Sequence, residues 1–220
     1  MIKLSERLKS IADFIDNNSN IIDIGCDHGL LDIYLVQSKE SIKIIASDIN
    51  NNALANTIKN IKKHKLENTI KVIQSNGLNN IDTTNMDTIV IAGMGAHTIT
   101  GILYNNLNKL KNINTIVLQS NNDIDFLRKK IVSIGYYIEK ENLIKEKNII
   151  YTIIKFKKGH KHYTRKELYF GPILIKENSK LFQEKKELEY NKLKQIYKII
   201  PKNHIHHRIK TLLKIRLYKN

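Results

Sequence analysis

The stretch Ile21 to Leu31, reading IIDIGCDHGLL, constrains this chain more than any other. Ile21, Ile22 and Ile24 form a short β-branched run, Gly25 breaks it, and a second apolar pattern opens at Leu30, Leu31 and Ile33. A strand therefore enters a tight turn and leaves it as a helix. Glycines at such a turn let the backbone approach a ligand, and the free amides of a helix start favour electron-rich groups. The dinucleotide fingerprint is not met: Cys26, Asp27 and His28 separate Gly25 from Gly29, and a diphosphate would face the Asp27 carboxylate. The spacing suits a ligand without phosphates, and Asp23 at the strand end suits a cationic amino or sulfonium centre. S-adenosylmethionine carries both. The same residues also fit an ordinary strand-to-helix connection whose carboxylates cap the helix.

A chain of 220 residues buries one good core with a small appendage. It has no run of eighteen apolar residues and no leader pattern, so the expectation is a soluble cytoplasmic protein with no membrane partner. The single cysteine, Cys26, excludes an internal disulfide and a multi-cysteine metal site. His204, His206 and His207 lack a cysteine or carboxylate to complete a ligand set, so no metal is expected. The net charge of +16 is uneven: residues 1–156 hold 19 Lys/Arg against 16 Asp/Glu, and residues 157–220 hold 18 against 5. A basic segment beside a nearly neutral one suits a phosphate-backbone partner. Lysine drift in a Lys-, Asn- and Ile-rich chain is the competing explanation, and it does not account for the asymmetry.

The periodicity predicts a helix over Lys3–Asp16, with Arg7 beside its buried stripe as either a solvated charge or an arm toward the site. A second strand, Ile42–Ser47, ends at Asp48 and Ile49, about 20 residues past the glycine turn, where a carboxylate grips ribose hydroxyls. A helix over Asn50–Lys63 follows, so Asp48 also suits a capping role. Strand Ile70–Gln74 ends at Ser75, Asn76 and Gly77, and strand Thr88–Ala92 ends at Gly93, Met94 and Gly95. Then come a helix Thr98–Leu110, strand Thr115–Leu118 ending at Gln119, Ser120 and Asn121, a helix Ile124–Ile134, and a hairpin of Tyr136–Ile144 with Ile149–Lys157. Small and polar residues at every strand end mark the carboxyl edge as the binding crevice. Asn76 and Gly77 are candidates for the cofactor's adenine, Gly93, Met94 and Gly95 for a flat substrate, and Asn121 for a base edge. Five βα units closed by an antiparallel pair make a seven-stranded Rossmann-like sheet of the class I S-adenosylmethionine-dependent methyltransferase plan. Beyond Gly159, Pro172 opens a helix whose seam of Leu181, Leu188, Leu193, Ile196 and Ile200 reaches Pro201, and a second seam runs from Ile205 to the terminus. The expected units are residues 1–158 and a basic, coiled-coil-like helical pair within 159–220.

With these pieces assembled, the chain resembles the bacterial tRNA (adenine-22-N1)-methyltransferase family over essentially its whole length. LSERL from Leu4, DIGCDHG from Asp23, IAGMGA from Ile91, LQSN from Leu118, IIYTIIKF at the hairpin end and GPIL from Gly171 carry the likeness. The family pattern has Ser-Asp-His-Ala-Tyr-Leu-Pro in the first motif, two glycines at the end of the fourth, and LQPN. Cys26, Gly29, Leu30, Asp32, Ala96 and Ser120 depart from it here. The resemblance implies S-adenosylmethionine as cofactor, tRNA held through the basic C-terminal helices, and a monomer transferring methyl to N1 of an adenine. On that reading Asp27 is the catalytic carboxylate. Asp23, Gly25, Cys26, His28, Asp48, Ile49, Asn76, Gly77, Gly93 and Met94 bind the cofactor, and Arg7, Gly95 and Asn121 bind the substrate. The fourth strand lacks the Asp/Asn-Pro-Pro-aromatic signature of N6 chemistry. Another RNA target, a relic cofactor fold that only binds RNA, and a nicotinamide oxidoreductase are the alternatives.

Overall fold

The computed structural model describes residues 2–218. One sheet contains seven strands: β1 (Asn20–Ile24), β2 (Lys43–Asp48), β3 (Ile70–Gln74), β4 (Thr88–Met94), β5 (Thr115–Ser120), β6 (Tyr136–Glu146) and β7 (Ile149–Lys158), in the order β3-β2-β1-β4-β5-β7-β6. The first five are parallel, and β7 enters antiparallel between β5 and β6. Chain direction across the sheet reverses between β1 and β4, which leaves a crevice at their carboxyl ends.

Side-chain alternation assigns the two faces. Ile22, Ile24, Ile89, Ile91, Ile116 and Leu118 pack with α4 (Ala96–Tyr104) and α5 (Ile124–Ser133). Ile21, Ile44, Ala46, Val90 and Val117 pack with α1 (Glu6–Ala12), α2 (Leu30–Ser38) and α3 (Asn51–Lys63). By the same two-residue period, Asp23 and Gln119 project to the α1–α2 face.

Local chemistry shifts several expected boundaries. The first helix is shorter than Lys3–Asp16: the Ser5 hydroxyl accepts the Leu8 amide at its start, and after Asp13 the chain turns to bury Phe14 and Ile15. The expected helix Thr98–Leu110 divides, because Asn106 donates its side-chain amide to the Ile102 carbonyl and a 3-10 turn over Leu107–Leu110 follows. The hairpin strands reach Glu146 and Ile149 because Lys147 and Asn148, at φ 48° and 65°, close it in two residues. β4 runs on to Met94 through an irregularity between Ala92 and Met94, where Gly93 has φ 79°.

The tail departs further from expectation. It holds α6 (Arg165–Phe170), α7 (Pro172–Glu177), α8 (Lys180–Ile199) and α9 (Ile205–Arg216). The helix expected from Pro172 to Pro201 is interrupted at Asn178, which is left-handed, and Ser179 caps the restart by accepting the Phe182 amide. The end of the last predicted seam, residues 219 and 220, lies outside the described residues. A third apolar cluster joins Leu143 of β6 to Phe170, Leu174 and Phe182. Beneath it Arg128 Nε donates to Glu141 Oε1 at 2.7 Å with both side chains buried. Arg128 also donates to the Tyr169 carbonyl, and Glu141 accepts the Ile173 amide. One buried ion pair thus ties α5, β6, α6 and α7. No helix among the described residues is long and apolar enough to cross a membrane.

Candidate active site

The turn after β1 is built as the sequence requires. Gly25 sits at φ 81°, a left-handed backbone that suits glycine, and a Cβ there would lie 2.4 Å from Met94 Cε and displace the tip of that side chain from the turn. Four of the turn's amides are committed, while the first amides of α2 have no capping side chain. Gly25 and Cys26 both donate to the Ser47 carbonyl, Gly29 donates to the Cys26 carbonyl, and Asp27 donates to Asp48 Oδ2. α3 clamps the same loop from outside: Thr57 Oγ1 donates to the Asp27 carbonyl and Asn60 to the His28 carbonyl. The loop is a rigid shelf that presents its side chains to the space above it.

A cavity of about 390 Å³ opens above this shelf. Asp23, Gly25, Cys26, Asp27 and His28 wall one side, Asp48 stands at the end of β2, and Ala92, Gly93 and Met94 form the opposite wall. Arg7 and Leu8 of α1 close the third side, so the first helix does supply an arm to the site. Asp48 Oδ1 accepts the Asn50 amide at 2.8 Å, which orients its carboxylate and leaves acceptor sites over. Asp27 and His28 form an exposed pair at 3.6 Å, with side chains 74% and 51% accessible. Burial pushes the Cys26 thiol up, with the Asp23 charge adding to the rise, so Cys26 lines the cavity as an un-ionised thiol. Burial pushes the Asp23 carboxyl up to about 7, a hydrogen bond from Asp32 draws it back, and the Asp48 charge raises it again.

Other predicted site residues surround this cavity without lining it. Ile49 is 62% exposed just beyond Asp48, and its carbonyl accepts the Gln74 side-chain amide. Asn76 is exposed at the end of β3, and Gly77 is buried against Ile102. Gly95 starts α4, whose first amide, on Ala96, is accepted by Asn122. Asn121 donates to the Gly93 carbonyl at 2.7 Å.

Gln119 is the residue that strand-end reading undervalued. It is fully buried, its Oε1 accepts from Arg7 Nη1 at 2.6 Å and from the Gly93 amide at 3.2 Å, and its Nε2 donates to Asn121 at 3.1 Å. Arg7, Gly93 and Asn121 are thereby fixed by one amide, and the Arg7 guanidinium also lies 5.4 Å from the Tyr151 ring centroid. Every partner except Asn121 is distant in sequence, so only the alternation placing Gln119 on the α1 face hinted at this role.

A second cleft, of about 430 Å³, runs from the Ser120–Asp125 loop to α8 and α9. Asn121 belongs to it, together with Lys186, Lys192 and Lys214, while Lys185 is paired with Glu189 at 2.8 Å. The tail's positive charge therefore abuts the mouth of the site. Among the described residues no group of three or more His, Cys, Asp or Glu side chains is placed to hold a metal ion.

The donor set discriminates between ligands. Two carboxylates, Asp23 and Asp48, flank the turn, and the Gly25, Cys26, Asp27 and Gly29 amides are spent, so a phosphate there would meet negative charge while hydroxyls and a cationic centre find acceptors. Comparison with known proteins agrees. The model of the tRNA (adenine(22)-N(1))-methyltransferase family, TrmK, matches residues 21–219. The tRNA (adenine(22)-N(1))-methyltransferase of Bacillus subtilis is 29% identical over 205 residues, covering 90% of this chain and 86% of its own. The solved structure of M. capricolum TrmK, in complex with S-adenosyl-homocysteine, is 33% identical with a TM-score of 0.84, over 98% of this chain and 96% of that one. Streptococcus pneumoniae Sp1610, solved with S-adenosyl-L-methionine, is 32% identical with a TM-score of 0.89, over 99% and 98%. A match that begins within β1 and runs through the tail takes in the turn, the β2 and β4 sides of the cavity and the basic helices together, and the chain belongs to the tRNA (adenine(22)-N(1))-methyltransferase family.

Proposed function

We propose that this chain transfers the methyl group of S-adenosylmethionine to N1 of adenosine 22 in tRNA. The observation that carries the reading is the cavity at the sheet's reversal point, with Asp23, Asp27 and Asp48 on its walls. The cofactor supplies a sulfonium-bound methyl that the N1 lone pair takes, leaving a thioether and a cationic adenine. Neutral adenine has that lone pair free, so no residue has to remove a proton first.

Asp48 binds ribose hydroxyls with the acceptor sites its two amide bonds leave over, and Asp23 meets the ammonium group of the methionine portion. Beyond Asp48, the exposed Ile49 side chain and the Asn76 amide receive the cofactor's base, with Gly77 keeping the backbone low beside it. Gly25, Cys26 and His28 shape the methionine end. Asp27 faces the cavity mouth and stabilises the positive charge that develops on the adenine ring. Gly93, Met94 and Gly95 accept the flat face of the target base, while Arg7 and Asn121, both locked by Gln119, hold it in line. N1 lies on the pairing edge, so the base must leave its stack, at a cost of a few kcal/mol.

Phosphate contacts from α8 and α9 offset that cost, with the protein acting as a monomer in the cytoplasm. Replacing Lys186, Lys192 and Lys214 together by alanine should lower the salt dependence of tRNA binding by roughly two to three units of the log–log slope. Affinity for S-adenosylmethionine should stay within about twofold, because none of the three lines the cofactor cavity. Filter binding across salt concentrations checks the first expectation and calorimetry the second. The reading as a whole is tested by methyl transfer from labelled S-adenosylmethionine to unmodified tRNA with nucleoside analysis. Appearance of 1-methyladenosine supports it, and tRNA binding with no methyl transfer refutes it.

A further inference from the structure

Asp32 is fully buried, and as a carboxylate neither of its oxygens has a hydrogen-bond donor among the described residues. It is the third residue of α2, a position from which a carboxylate usually reaches back to the amide of the capping residue. Here that amide, on Gly29, is donated to the Cys26 carbonyl at 2.8 Å, so capping does not explain Asp32.

The group facing Asp32 is another acceptor, the Asp23 carboxyl, and a bond forms between them only if one carries a proton. Burial raises Asp32 well above the ordinary carboxylate range, and the Asp23 charge and the bond to Asp23 raise it further. The same bond lowers Asp23. Asp32 has no exposed surface and lies outside the cavity lining, whereas Asp23 lines the cavity, so the shared proton belongs on the deeper Asp32 and points to Asp23. The other groups bearing on the pair are the un-ionised Cys26 thiol and the Asp48 carboxylate, neither of which supplies a positive charge.

We propose that Asp32 is a positioning residue for cofactor capture: neutral and buried, it keeps its proton, donates a hydrogen bond to the Asp23 carboxylate and holds that group ionised toward the cofactor's ammonium. The inference rests on the cofactor reading above. It explains why a carboxyl is kept in an apolar position, since a neutral acid donates a hydrogen bond there without adding a second negative charge.

The test compares S-adenosylhomocysteine with methylthioadenosine, which lacks the amino-acid portion, on the full-length protein. Asp32→Leu fills the space but cannot donate, and should weaken S-adenosylhomocysteine by roughly tenfold or more while leaving methylthioadenosine unchanged. Asp32→Asn still donates, and should bind both ligands within about threefold of wild type. Unchanged S-adenosylhomocysteine affinity in Asp32→Leu overturns the proposal. An equal loss of both ligands, or a loss in Asp32→Asn as large as in Asp32→Leu, overturns it too, since either marks a structural role. A wild-type protein that binds neither ligand removes the cofactor reading itself.

Discussion

Asp27→Asn should slow methyl transfer to tRNA by about 10²–10³-fold, with tRNA binding and melting temperature unchanged. The magnitude follows from removing one preorganised charge that faces a developing cation. Asparagine is the informative substitution because Asp27 lies at φ 51°, a left-handed conformation that Asn tolerates and Ala does not. Asp27→Ala should lose the same activity and additionally melt lower, by roughly 1–2 kcal/mol of backbone strain. The outer position of Asp27, with its amide tied to Asp48 and its carbonyl to Thr57, means that the loop should hold its shape without the charge. Single-turnover rates with saturating cofactor separate chemistry from binding. An Asp27→Asn variant retaining more than a tenth of the wild-type rate would show that the carboxylate only shapes the loop.

The largest effect on stability should come from Arg128→Met. It leaves Glu141 buried and without its guanidinium, at a cost of about 3–5 kcal/mol, or roughly 6–20 °C in melting temperature for a chain of this length. The side chains are 2% and 0% exposed, so water cannot replace the lost partner. Adding Glu141→Gln should recover much of the loss, because the amide oxygen still accepts the Ile173 amide and no charge remains stranded. Thermal melts of the two single variants and the double variant measure the coupling between the residues. Additive losses would show that the pair is not what fastens α6 and α7 to α5 and β6.

The amino-acid sequence by itself determined everything that depends on local backbone chemistry and two-residue alternation. Isoleucine runs ending in small or polar residues marked the strands and their carboxyl edge. Gly25 marked the turn, Asp23 and Asp48 marked the ends of β1 and β2, and the lysine excess marked the tail. Such properties belong to a residue and its near neighbours, so they survive without a fold. Boundaries were less legible where a side chain takes over a helix's own backbone groups, as Asn106 does with the Ile102 carbonyl. The tertiary structure alone decided which polar groups meet. Arg7 and Gln119 are 112 residues apart, and nothing in either neighbourhood requires the other. Asp32 sits among apolar residues of α2 in sequence, and only the packing of α2 on β1 sets it against Asp23. Arg128 reads as one more surface cation of a basic chain until α6 and β6 enclose it. Hydrogen bonds and ion pairs are short-ranged and directional, so periodicity can name the face a side chain occupies, but only the folded chain supplies its partner.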